Sequence, residues 1–166
     1  QDKLSDKNLD RIGFTKYVRS GDGYYEKTAG QGPNMISGND DRTLMAWVYF
    51  DGDTGNKNVI TLGTNYYDRE RFGIFIESAH PEVHIIGGPG STLTTGVDIA
   101  TREWTHLAVT HDGSTTIAYI DGTAIGEASG RTYETRDTYM MVGSRSSEML
   151  WPSSGAVSTE FWPGHI

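Results

Sequence analysis

The chain has 166 residues, enough for one domain with its own core, and is slightly poor in apolar residues at 36%, with 22% charged. A net charge of −8 argues against nonspecific binding to nucleic acid or anionic lipid, and no window approaches the ~18 apolar residues of a membrane-spanning helix. Cysteine is absent, which excludes disulfide frameworks and thiolate chemistry.

Residues 1–11 (QDKLSDKNLDR) are polar and read as a flexible lead-in. Short strand-like runs then follow between turn signals. They are YYEKT (24–28), RTLMAWVYF (42–50), NVITLG (58–63), RFGIFIE (71–77), EVHIIGG (82–88), WTHLAVTH (104–111), TTIAYID (115–121), TAIGEA (123–128) and TYMMVGS (138–144). Asp-Gly occurs at 22–23, 51–52, 112–113 and 121–122, supplying the positive φ that tight turns need. No stretch carries a sustained 3.6-residue period. Many strands without intervening helices predict an all-β sandwich or barrel. Residues 104–128 read as a three-strand antiparallel meander. Leu107 and Val109 share one face of its first strand. Ile117 and Tyr119 share a face of the second, opposite Ala118 and Ile120. Apolar residues on both faces predict central strands.

Catalytic motifs are missing. No Glu-x-Asp carries the paired carboxylates of a glucanase strand, and there is no Gly-x-Ser-x-Gly elbow, P-loop or His-Glu-x-x-His. The chain is therefore expected not to be an enzyme. His80 and His84 have strand spacing for a zinc pair, but Pro81 interrupts the geometry and no third ligand follows. The segment 51–56 (DGDTGN) has the look of a calcium loop, yet the twelfth position is Leu62, so a hairpin turn is expected there.

The order of motifs resembles the laminin G-like group of concanavalin A-like jelly rolls. The residues that carry the likeness are Trp104, His106, Leu107, Val109, Asp112, Gly113, Tyr119, Ile120, Asp121 and Gly122, with RTLMAWVYF and its Trp47 upstream and FWPGHI at 161–166. The likeness spans roughly residues 34–166. It implies a two-sheet antiparallel β-sandwich of about 12 to 14 strands, with residues 12–166 as a single domain. It also implies a structural role for His106. Family members continue past the final Ile with an acidic, apolar strand, whereas the sequence ends at Ile166. That leaves two expectations open: a truncated or unusual C-terminus, or an edge completed by another subunit's strand.

The resemblance further implies a rim Ca²⁺ held by two aspartates, at positions that match Asp68 and Asp137. Arginine neutralisation of Asp68 by Arg69 or Arg71 is the competing reading. The same loops contain Asn65, Tyr66, Tyr67, Arg69, Arg71, Tyr133, Glu134 and Arg136. Sugar recognition needs an aromatic face for ring C–H groups and planar polar groups for hydroxyls. Tyr66, Tyr67, Arg69 and Arg136 are the expected ligand contacts, and Trp151 is expected to pack. The functional expectation is a secreted or surface-displayed, non-catalytic module that binds a carbohydrate or glycoprotein, with Ca²⁺ as cofactor. The alternative is a structural or adhesion subunit of a filament, phage or cell surface, which binds protein through its sheet edge.

Overall fold

A computed structural model describes residues 15–19, 22–28, 36–53, 55–63, 69–77, 82–87, 91–135, 139–143 and 162–166. Its twelve strands are β1 (Thr15–Arg19), β2 (Asp22–Thr28), β3 (Arg42–Phe50), β4 (Lys57–Gly63), β5 (Arg71–Ile76), β6 (Glu82–Ile86), β7 (Leu93–Asp98), β8 (Trp104–His111), β9 (Thr116–Ile120), β10 (Thr123–Ala128), β11 (Tyr139–Val142) and β12 (Gly164–His165). They form two antiparallel sheets. The seven-stranded sheet runs β1-β2-β11-β4-β5-β6-β7, and the five-stranded sheet runs β10-β9-β8-β3-β12.

The core lies between the sheets and follows from side-chain alternation. On β3, Leu44, Val48 and Phe50 point inward while Thr43, Met45 and Trp47 are exposed. Leu107 and Val109 of β8 and Ala118 of β9 complete that half. Val59, Phe72, Ile74, Ile76 and Ile85 supply the facing half. Each fully buried aliphatic or aromatic side chain contributes about 1.5–3 kcal/mol.

The outer faces of the two sheets differ. On the seven-stranded sheet, every residue of β4 and β5 is buried, including Asn58, Thr61 and Phe75, which lie on the side away from the main core. On the five-stranded sheet the outer face is open.

The expected 104–128 meander is present, and its second turn has positive φ at both Asp121 (49°) and Gly122 (79°), as a two-residue hairpin requires. Two strands escape the sequence pattern. β1 is TKYVR, with too few apolar residues to signal. β7 is LTTGVD, an edge strand whose residues after Leu93 alternate between exposed and half-buried and which includes Gly96 at φ 70°. The expected hairpin at 51–56 is corrected. β3 and β4 belong to different sheets, so this segment crosses the sandwich rather than pairing its flanks. The proposed lead-in at 1–11 lies outside the described residues.

β5 sits centrally in its sheet, and Gly73 allows the backbones to approach closely there. A Cβ at that position would meet the Ile60 carbonyl oxygen at 2.5 Å and Thr61 Cα at 2.9 Å. Backbone cannot yield as a side chain can, so Gly73→Ala is expected to destabilise the protein by about 1–3 kcal/mol. Urea unfolding with an unchanged m-value would check this.

Candidate functional site

One end of the sandwich collects the loops 37–41, 112–115 and 129–135 with the residues that lead into β5. Glu134 N–H donates to the Arg69 carbonyl at 2.8 Å, which joins the stretch before β5 to the stretch before β11. Arg69 takes a left-handed φ of 65°. Its Nη1 donates to Thr132 Oγ1 at 2.9 Å, and its Nη2 lies 3.7 Å from Glu134 Oε1. Both ion-pair partners are solvent-exposed, so the pair adds little stability, up to about 1 kcal/mol, while placing planar donor and acceptor groups on the rim. Of the expected ligand contacts, Arg69 is therefore at the rim. Tyr66, Tyr67 and Arg136 lie outside the described residues, as do Asp68, Asp137, Asn65 and Trp151. Among the described residues, no group of three or more His, Cys, Asp or Glu side chains could hold a metal. Two members of the loop set are buried, Tyr133 within the core beside Phe72, and Arg71 on β5.

Tyr133 belongs to a polar network that seals this end of the core. Asn39 Oδ1 accepts from Tyr133 N–H at 2.7 Å and lies 3.0 Å from His111 Nε2, while Asn39 Nδ2 donates to the Gly113 carbonyl at 2.6 Å. An acceptor-only oxygen forces the proton of neutral His111 onto Nε2. His111 Nδ1 then accepts from the Thr116 hydroxyl at 3.1 Å, and Thr116 Oγ1 accepts from the Tyr133 hydroxyl at 3.1 Å. One proton arrangement thus satisfies every member. Buried Arg42 stands beside it, over the rings of Phe72 and Tyr133. Its Nη1 donates to Thr135 Oγ1 at 2.7 Å and its Nη2 to the Gly38 carbonyl at 2.8 Å. Burial raises the Tyr133 pKa, so the phenol stays a donor.

The sequence reading misses a second region. On the outer face of the five-stranded sheet, β3 and β8 pair Trp47 with His106 and Tyr49 with Trp104, and β12 sets His165 beside Tyr49. Ring centroids are 5.2 Å apart for Trp47–His106, 5.8 Å for Tyr49–Trp104 and 6.3 Å for the stacked Trp104–His165 pair. Trp47 is 58% exposed, Trp104 48% and Met45 60%. Trp47 faces solvent with half-buried His106 packed beside it. The signal was available in the strict alternation of 43, 45, 47 and 49 against 44, 46, 48 and 50. Apolar residues on both faces of the 104–128 strands predict central strands, and β8 and β9 each have a paired neighbour on either side.

His84, half of the His80/His84 pair whose spacing Pro81 interrupts, is buried against Phe75, with its Nε2 3.0 Å from Glu77 Oε2 and 3.6 Å from Glu82 Oε1. His80 lies outside the described residues. The side chain of His84 is accommodated by carboxylates and an aromatic ring.

Burial and the Arg42 charge lower the pKa of His111 below its ordinary 6.5, against weaker upward effects of Thr115, Asp112 and Asp41. The unfolded chain binds a proton at about 6.5 while the folded chain resists it, so stability falls as pH drops below that value. His111→Gln is expected to flatten the fall in thermal stability between about pH 7.5 and 5.5, at some cost in stability at neutral pH. Melting curves of both proteins across that range would check it.

A family model described as the concanavalin A-like lectin/glucanases superfamily (Laminin_G_3) matches residues 19–166. No curated protein matches the sequence significantly. Among solved structures, domain 4 of the extracellular GH43 arabinanase AbnA from Geobacillus stearothermophilus, in complex with arabinotriose, superposes with a TM-score of 0.55 at 16% identity. The match covers 78% of this chain and 66% of that one. The CBM40 of a Ruminococcus gnavus IT-sialidase, bound to α2,3-sialyllactose, gives 0.57 at 12% identity, covering 85% and 86%. Domains LG4-5 of the mouse laminin α1 chain give 0.57 at 13% identity, covering 92% and 36%, so the chain spans about a third of that pair. These likenesses establish a shared β-sandwich fold. On the match over residues 19–166, the chain belongs to the laminin G-like group of the concanavalin A-like lectin/glucanase superfamily.

Proposed function

We propose that the protein is a non-catalytic, secreted or surface-displayed recognition module that binds carbohydrate or glycoconjugate at its rim loops. The observation that carries this reading is the junction of the two loop regions at Arg69 and Glu134, where the backbone hydrogen bond of 2.8 Å fixes one beside the other. An exposed guanidinium and carboxylate held there offer donor and acceptor groups to sugar hydroxyls. Asp68 directly precedes Arg69, and Asp137 follows Glu134 by three residues, so the junction is where a shared Ca²⁺ would tie the loops together. The buried Arg42–Asn39–His111–Tyr133 assembly supports the loops from beneath, which lowers the ordering cost of binding. Carbohydrate-bound neighbours of the same fold support the ligand class, and an extracellular location accords with the arabinanase domain.

A second reading has its own observation. β8 pairs with β3 from Arg42 to Tyr49, but on the opposite side β12 reaches only Tyr49 and Phe50 among the described residues. A strand from another protein could add there by β-augmentation, as a structural or adhesion subunit would require.

A glycan array run with millimolar Ca²⁺ and again with EDTA tests the first reading. Selective binding lost in EDTA and in Asp68→Ala or Asp137→Ala is the expected result. Arg69→Ala is expected to weaken binding by about tenfold with an unchanged melting temperature, because its ion pair is exposed. Binding that survives EDTA would keep the sugar and remove the metal. Absence of binding in both conditions would transfer the assignment to strand addition.

A further inference from the structure

We propose that the outer face of the five-stranded sheet is a second glycan site, separate from the rim, that takes an uncharged polysaccharide chain across Trp47 and Trp104. Three of the four large hydrophobic residues that are exposed among the described residues, Met45, Trp47 and Trp104, lie on this one face. Their partners there are Tyr49, His106 and His165. Clustering of that kind on a face where isolated exposure would be ordinary marks a binding surface.

The chemistry of the cluster selects the occupant. An obligate protein interface is dry and resembles a core cut in half. This face instead carries aromatic rings with a polar handle each: indole N–H, phenol and imidazole. Such rings offer a flat apolar surface to the C–H side of a sugar and hydrogen-bonding atoms to its hydroxyls. The rings also rest against one another. Trp47 leans on His106, and Trp104 stacks at 27° on His165, so their orientation is set before a ligand arrives. Successive same-face positions along a strand are about 6.8 Å apart, so the rows Trp47–His106 and Tyr49–Trp104 form consecutive steps suited to a repeating chain.

Charge settles which glycans fit. Exposed carboxylates border the face: Asp51 follows Phe50, Glu103 precedes Trp104, and Asp121 accepts the His106 backbone N–H at 2.8 Å. Arg102 is the one exposed cation in the adjoining turn at 99–103. With a net charge of −8, an acidic polysaccharide or an anionic membrane is repelled. Face-to-face pairing of two copies would bring these carboxylates together and is disfavoured for the same reason. The neutral chain remains.

The test is affinity electrophoresis in gels containing uncharged glucan, mannan, galactan, xylan or arabinan, with intrinsic tryptophan fluorescence as a second readout. Retardation by at least one of these is expected, unaffected by EDTA or by Arg69→Ala. Trp47→Ala and Trp104→Ala should each weaken it by about tenfold or more. Both side chains are exposed, so melting temperatures should hold, and Trp47→Phe, which keeps a ring, should retain most binding. Three results would overturn the assignment. The first is no retardation and no fluorescence change with any of the five chains. The second is retardation that the tryptophan variants keep but Arg69→Ala or EDTA abolishes, which would locate binding at the rim. The third is a concentration-dependent dimer in sedimentation that Trp47→Ala dissolves, which would assign the face to a second copy.

Discussion

The register between β3 and β8 fixes two surfaces at once. Arg42 faces His111, Leu44 faces Val109, and Tyr49 faces Trp104. Because side chains alternate with a period of two, the same pairing that drives Leu44, Val48, Leu107 and Val109 into the core displays Met45, Trp47, Trp104 and His106 outside. A slip of one residue would exchange the sets, exposing the aliphatic core and burying two tryptophans and a histidine. The contrast between them, branched aliphatics against aromatics with polar handles, makes the register unambiguous. Core formation and surface presentation are therefore one event.

The same register brings Arg42 and His111 together at the inner end of the pair, where an apolar filling would be expected. A buried guanidinium is tolerable because its donors reach Thr135, Gly38 and Asp40 and its face meets the Phe72 ring. His111 is tolerable because Asn39 and Thr116 complete it as a neutral ring. These partners come from segments far apart in sequence, so the network ties the loops at 37–41 and 131–135 to the strand ends. The rim proposed for recognition rests on these groups. The polar seal gives it rigidity that the surface pair of Arg69 and Glu134 could not supply alone.

The two proposed recognition surfaces follow different logic. At the rim, backbone junctions position charged groups on loops, as suits hydroxyl recognition with or without an ion. On the sheet face, aromatic side chains stand on rigid strands. The covered outer side of β4, β5 and β6 offers no comparable surface, since Asn58, Thr61, Phe75 and His84 are all buried there.

Nine of the twelve strands were legible as runs of alternating or continuous apolar residues between Gly, Asn and Asp turns, because strand period and turn chemistry are local properties. FWPGHI also pointed to the last strand through the family likeness. β1 and β7 were not legible, since few of their residues are apolar and their ordering comes from neighbours. The segment at 51–56 shows the limit of turn signals: a sequence can specify that the chain bends without specifying which sheet it enters next. Arg69 was identifiable as a rim residue from the family pattern. Tyr133 was not identifiable as a core residue, because its burial depends on Thr116, Asn39 and Phe72 arriving from other strands. The sequence by itself determined the all-β class and the 104–128 meander, both carried by short-range spacing, and its ordered motifs carried the resemblance to the superfamily. Only the tertiary structure decided which outer face stays open and which polar residues are sealed inside, since both are set by what packs against a strand rather than by the strand.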